Sequence, residues 1–201
     1  MTESPRSLRI AFLVGAFPQP SETFISRRFD YLLAEGHDVE VFAHPPAKKA
    51  PLPEAWERRV HYIPWYAAKG QMPGAALRYA KALAARKVAL AQVRSLRGAV
   101  SRHGRGLSYA LLSTSHLLGR RWDLVHAHFL STLRQFPGLC AVVDAPVVGS
   151  VYGRDVTVDP FEAGGKERLE AQVREVDGIT YSSEFLDRKS TRLNSSHIPL
   201  S

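Results

Sequence analysis

The chain has 201 residues, 45% of them hydrophobic, the length of one generous domain or of a piece of a larger protein. Its one cysteine, Cys140, excludes an internal disulfide and a multi-cysteine metal site, and no apolar run approaches the roughly 18 residues of a spanning helix. The net charge of +8 is uneven: thirteen Lys or Arg and no Asp or Glu lie between Arg58 and Trp122, a block that attracts phosphate-bearing ligands, nucleic acid or an anionic surface.

Ile10-Ala11-Phe12-Leu13-Val14 reads as a first strand, stopped by Gly15 and followed by a turn containing Pro18 and Pro20. Arg9 abuts this run and a periodic segment follows it without a cleavage site, which favours a cytoplasmic strand over a secretory signal. Ser21 is a natural N-cap for the next helix and Glu22 suits the positive end of its dipole. Ile25, Phe29, Leu32 and Leu33 form its apolar stripe, and Gly36 can take the left-handed position that stops it. Asp38 to Phe42 alternates as a second strand, and Val60 to Ile63 is a short third.

An Ala- and Arg-rich helical segment is expected between Ala75 and Val100, and a second helix over Leu107 to Leu118. The apolar and basic residues of the first are scattered around its axis rather than segregated, which weakens a membrane-surface role for it. Asp123 to Phe129 reads as a fourth strand, followed by a helix from about Ser131 to Val142 that Pro137-Gly138 must kink or interrupt. Pro146 to Val151 is a fifth strand, about Phe161 to Glu175 a charged helix, and Gly178 to Tyr181 a sixth strand. Strand and helix alternate throughout. The expected fold is therefore α/β, a Rossmann-like parallel sheet with helices on both faces.

In such sheets ligands bind outside the carboxyl ends of the strands. The polar residues cluster there: Gly15, Ser21, Glu22 and Thr23 after the first strand, His126 and His128 on the fourth, Tyr152, Gly153, Arg154 and Asp155 after the fifth, and Ser182-Ser183 after the sixth. Each has a structural alternative, since Gly15 can serve a tight turn, Ser21 and Glu22 a helix cap, Gly153 a turn, and Asp155 a cap. The two histidines share one strand face, so one is expected to be hydrogen-bonded in the interior. His128, nearer the strand end, is the better candidate to meet a ligand as donor or general base. Missing motifs narrow the chemistry. The GAFPQPSE stretch is not the GxGxxG of a nicotinamide dinucleotide site, and there is no phosphate-binding GxxxxGK[ST], no HExxH and no Asp-x-Asp pair.

The stretch GAFPQPSETFI, from Gly15 to Ile25, with Gly36-His37-Asp38-Val39 after it, resembles the opening of GT4-type glycosyltransferases of the GT-B fold. DLVHAHF (Asp123–Phe129), SVYGRD (Ser150–Asp155) and the Val176–Ser183 strand are similar to later segments of that family, so the likeness extends over nearly all of residues 8–186. It implies a two-domain enzyme of exopolysaccharide or lipid-linked glycan assembly, with this chain as the amino-terminal, acceptor-side domain. It further implies hexosyl transfer from a nucleotide-sugar, with retention, to a lipid-linked or glycan acceptor, with no metal and no other cofactor. Gly15, Ser21, Glu22 and Thr23 would line the acceptor side, His128 would lie near the reacting sugar, and Tyr152, Gly153, Arg154 and Asp155 near substrate hydroxyls. One departure matters: the family's usual His before Gly-x-Asp is Tyr152 here, a hydrogen-bond donor but a poor base near neutral pH.

From Asp187 the α/β pattern ends, and DRKSTRLNSSH (Asp187–His197) resembles the translation of a sequencing-library adapter. Residues 1–186 are thus expected to form the domain, truncated before the donor-binding one, and 187–201 a non-native tail. The expected setting is cytoplasmic, peripheral on the inner face of the cell membrane through the basic block. The competing function is a non-catalytic domain binding anions or nucleic acid. The chain lacks the interleaved aromatic and basic residues of a nucleic-acid module, so nucleic acid is not an expected partner.

Overall fold

In the computed structural model the described residues are 6–48, 51–64, 69–85, 89–94, 96, 106–118 and 120–182. Ser183, the segment 187–201 and parts of the helical region expected over 75–100 lie outside them.

The strands are β1 (Arg9–Ala16), β2 (Asp38–His44), β3 (Val60–Tyr62), β4 (Leu124–His128), β5 (Val147–Val151) and β6 (Gly178–Tyr181). The helices are α1 (Thr23–Ala34), α2 (Glu54–Glu57), α3 (Met72–Ala84), α4 (Leu107–Ser115), α5 (Leu139–Val142), α6 (Gly153–Thr157) and α7 (Gly165–Val173). All strand pairs are parallel, in the order β3-β2-β1-β4-β5-β6. The protein is an α/β, Rossmann-like domain, and its order reverses between β1 and β4, where ligands of open parallel sheets bind.

Each face of the sheet carries its own core. Ile10, Phe12 and Val14 of β1 join Val39, Val41 and Ala43 of β2 beneath Ile25 and Phe29 of α1 and Trp56 of α2. Ala11 and Leu13 point the other way, into a cluster with Val125, Ala127, Val147 and Val151, roofed by Leu130, Leu133, Leu139, Val156 and Leu169. Both faces of β1 are buried, which is why it reads as a continuous apolar run rather than an alternation. Complete burial of a side chain such as Phe12 contributes roughly 1.5–3 kcal/mol relative to leaving it exposed.

The acidic residues before two strands are structural. Asp123 Oδ2 accepts the Arg9 N–H at 2.8 Å, and Asp177 Oδ2 accepts the Val147 N–H at 2.8 Å. Each carboxylate thus satisfies the first N–H of a neighbouring strand, which the ladder leaves open. Gly36 ends α1 with φ +84°, the left-handed conformation expected of it.

Three local expectations are corrected. β1 does not stop at Gly15 but runs to Ala16, with its register against β2 shifting between Val14 and Ala16. The helix after it is capped by Glu22 rather than Ser21, because Pro20 to Glu22 form a 3-10 turn ahead of α1. Glu22 makes no side-chain capping bond. The helix expected over 131–142 is instead a 3-10 segment, Leu130–Gln135, and the short α5, separated by Gly138 at φ +78°.

Candidate functional site

The carboxyl ends of β1, β4 and β5 come together at the reversal of strand order, and the candidate residues of those three strands with them. Gly15 lies within β1. A Cβ there would meet only Gln135 Nε2, at an ordinary 3.6 Å, so no close approach demands glycine at this position. Ser21 and Thr23 are exposed and Glu22 is half-buried, its carboxyl pushed above the usual range by burial.

The histidines of β4 divide their roles. They lie on one face, their rings 4.2 Å apart between centroids and tilted by 32°. His126 Nε2 is 2.7 Å from Ser150 Oγ, which is 2.7 Å from Thr180 Oγ1, a polar chain across β4, β5 and β6. Burial, reinforced by the Arg28 charge, lowers His126 to about 4, so the ring is neutral at pH 7. His126 is the interior, hydrogen-bonded member of the pair.

His128 was expected to open towards a ligand, but its ring is fully enclosed. Phe12 lies against it at 4.4 Å, nearly edge-on, and neither ring nitrogen has a hydrogen-bond partner among the described residues. Burial first, then the neighbouring His126 and Arg28, hold it well below its ordinary pKa. A proton on His128 would be strongly disfavoured, so the ring is a weak base and is better suited to a neutral hydrogen-bonding role. Two unsatisfied nitrogens in a closed site are costly and call for a partner. No third His, Cys, Asp or Glu joins the pair as a metal cluster among the described residues.

After β5 the chain turns directly into the short helix α6, with Tyr152 at its N-cap. Asp155, buried, accepts the Tyr152 N–H at 2.9 Å and the Ser131 N–H at 3.5 Å. It therefore caps α6 and pins the 3-10 segment after β4 against it. Burial, opposed by those two donors and assisted by Asp159, raises its carboxyl to about 6. Arg154 points away from this pair: its guanidinium meets Asp159 at 3.0 Å and Glu162 at 3.5 Å. Gly153 opens α6 with nothing within 4 Å of where a Cβ would stand.

Two aromatic residues that the sequence did not single out, Phe24 and Phe129, join the expected Tyr152. Phe24 of α1, Phe129 after β4 and Tyr152 after β5 meet over the strand ends. Ring centroids lie 4.9 Å apart for Phe24 and Tyr152, 4.6 Å for Phe129 and Tyr152, and 6.4 Å for Phe24 and Phe129. Phe129 holds φ +70°, the one non-glycine residue with positive φ among those described. The only advance signal was position, since each lies within or beside a segment already singled out.

The geometry thus gathers Gly15, His128, Tyr152 and Asp155 at one edge of the sheet, assigns Asp155 to capping, and turns Arg154 outward to its own acidic partners. Comparison with protein-family models and with curated proteins finds no match to the chain.

Proposed function

We propose that this chain is the acceptor-side, amino-terminal domain of a GT4-type glycosyltransferase of the GT-B fold. In that reading the enzyme transfers a hexosyl group, with retention, from a nucleotide-sugar to a lipid-linked or glycan acceptor during cell-surface polysaccharide synthesis. One observation carries the reading. The sequence segments that resemble the family lie far apart in the chain, yet three of them end at a single edge of a single parallel sheet, where its order reverses.

The division of labour follows from the groups present. His128 supplies neutral hydrogen-bonding nitrogens rather than a base, and Asp155 holds the β5–α6 turn in place rather than abstracting a proton. This half of the site binds and orients; the positive groups that stabilise a departing diphosphate belong to a second α/β domain. The basic block between Arg58 and Trp122 would suit a membrane-bound, pyrophosphate-carrying acceptor. Some of that charge is already committed, Arg59 to Asp38 and Arg120 to Glu40.

The test is transfer of a labelled hexose from nucleotide-sugars to lipid-linked acceptors, using the reading frame followed past the codon for Leu186. A second α/β domain in that frame, and a product that keeps the donor's anomeric configuration, is the expected result. A frame that encodes such a domain and shows no transfer to any glycan or lipid-linked acceptor overturns the proposal. Co-sedimentation of the present chain with vesicles that is indifferent to anionic lipid overturns the membrane component alone.

A further inference from the structure

The aromatic cluster at the strand ends is not explained by packing alone. A bulky residue at φ +70° is strained, and such strain persists only where the surroundings impose it. A glycine would relieve it and lose the ring. Phe129 instead keeps its ring against Tyr152, whose own backbone is fixed by the Asp155 carboxyl. Phe24 completes the group from the first turn of α1 and remains 38% exposed, a large apolar side chain left in water beside two others.

We propose that Phe24, Phe129 and Tyr152 form a stacking platform for the apolar face of a neutral pyranose ring, the sugar of the acceptor. This rests on the acceptor-side reading above and names the chemistry that such a side would take. The C–H face of a pyranose is apolar while its edge carries hydroxyls, so it needs an aromatic surface bordered by polar acceptors. In sequence Ser21, Glu22 and Thr23 lead into Phe24, with Ser21 and Thr23 exposed, while the buried Asp155 carboxylate is taken by the Tyr152 and Ser131 N–H groups and Asp159 by Arg154.

The Arg154 guanidinium, beside Tyr152 in sequence, is held by Asp159 and Glu162. Arg28, four residues after Phe24 on α1, is the positive group that bears on both β4 histidines. A nucleobase wants a parallel slot, whereas the three rings are tilted by 47°, 52° and 66° to one another. Ring geometry favours the sugar over a nucleobase.

Saturation-transfer NMR on the 201-residue chain tests this, with methyl glycosides of glucose, galactose and mannose as probes and uridine as the rival. The expected result is transfer to the ring C–H protons of at least one glycoside. Binding should weaken about fivefold in Phe24→Ala. Phe161→Ala, which removes an exposed aromatic outside the cluster, leaves it intact. Circular dichroism identical to the parent chain establishes that Phe24→Ala is folded. Glycoside binding unchanged by Phe24→Ala overturns the platform and leaves the acceptor reading standing. Uridine bound in place of the glycosides, and lost in Phe24→Ala, overturns both. Binding of neither probe by the parent chain overturns the platform, and the transfer assay then decides the acceptor reading separately.

Discussion

Replacing His126 by Gln should flatten the acid limb of the stability profile. The imidazole is displaced from 6.5 to about 4 by burial and, secondarily, by the Arg28 charge. Between those values the unfolded chain binds a proton that the folded chain refuses. The neutral ring therefore contributes stability that is fully present above 6.5 and is lost as the pH falls towards 4. Between pH 8 and pH 5 the loss from this one group comes to about 2 kcal/mol. His128 acts in the same direction. Asp155 opposes both: with its carboxyl raised to about 6, it returns about 1 kcal/mol over the same interval. The net profile of the parent chain is thus a sum of opposing parts, and the informative quantity is the difference between variants. Gln cannot titrate and keeps a polar group facing Ser150. Urea unfolding at pH 8 and pH 5, followed by circular dichroism, should show His126→Gln losing about 2 kcal/mol less than the parent over that span. Equal losses in the two proteins would refute the assignment of a buried, neutral His126.

Three further outcomes follow from the same geometry. Asp155→Ala orphans the Tyr152 and Ser131 N–H groups and should cost about 1–3 kcal/mol in urea unfolding. Because a raised carboxyl contributes stability present below its unfolded value and lost as pH rises through about 6, the deficit should be larger at pH 5 than at pH 8. Gly165→Ala places a methyl group 1.8 Å from the Asp159 carbonyl oxygen, so either α7 or the preceding turn must move. A loss of about 1–3 kcal/mol in the free energy of urea unfolding is expected, and a neutral result would contradict that contact. Trp56→Phe removes the indole N–H that Asp30 accepts at 2.7 Å. It should cost about 1–3 kcal/mol, and a double-mutant cycle with Asp30→Ala should show non-additivity.

The strands were legible because parallel sheets bury both faces, so β1, β4 and β5 announce themselves as apolar runs bounded by polar residues. Gly36 was legible for an equally local reason, the left-handed turn that ends α1. What escaped depends on geometry beyond one segment. Ser21 has the chemistry of a cap, but Pro20 draws it into a 3-10 turn and moves the helix start to Thr23. α6, only five residues long, is too short to show a helical period, although Asp155, three residues after its N-cap, carried a capping signal. Neither histidine's sequence context distinguishes an open ring from an enclosed one, and one of the rings against His128 is Phe12, from a different strand. The aromatic cluster joins positions 24, 129 and 152, and nothing short of the strand order makes them neighbours.

The two-sided burial of β1 has a consequence for how this sheet finds its alignment. A strand with one wet face is aligned by polarity, since a one-residue slip would expose its apolar set. β1 has no such safeguard: slipping would exchange one hydrophobic environment for another. What distinguishes its faces is size. The α1 side receives Ile10, Phe12 and Val14, and the opposite side receives Ala11 and Leu13. A slip would press Phe12 into room shaped for Ala11 or Leu13 and leave a void where its ring had met Phe29 and His128. Steric volume, felt only when both layers of helices have closed on the sheet, is therefore the code for register in the central strand.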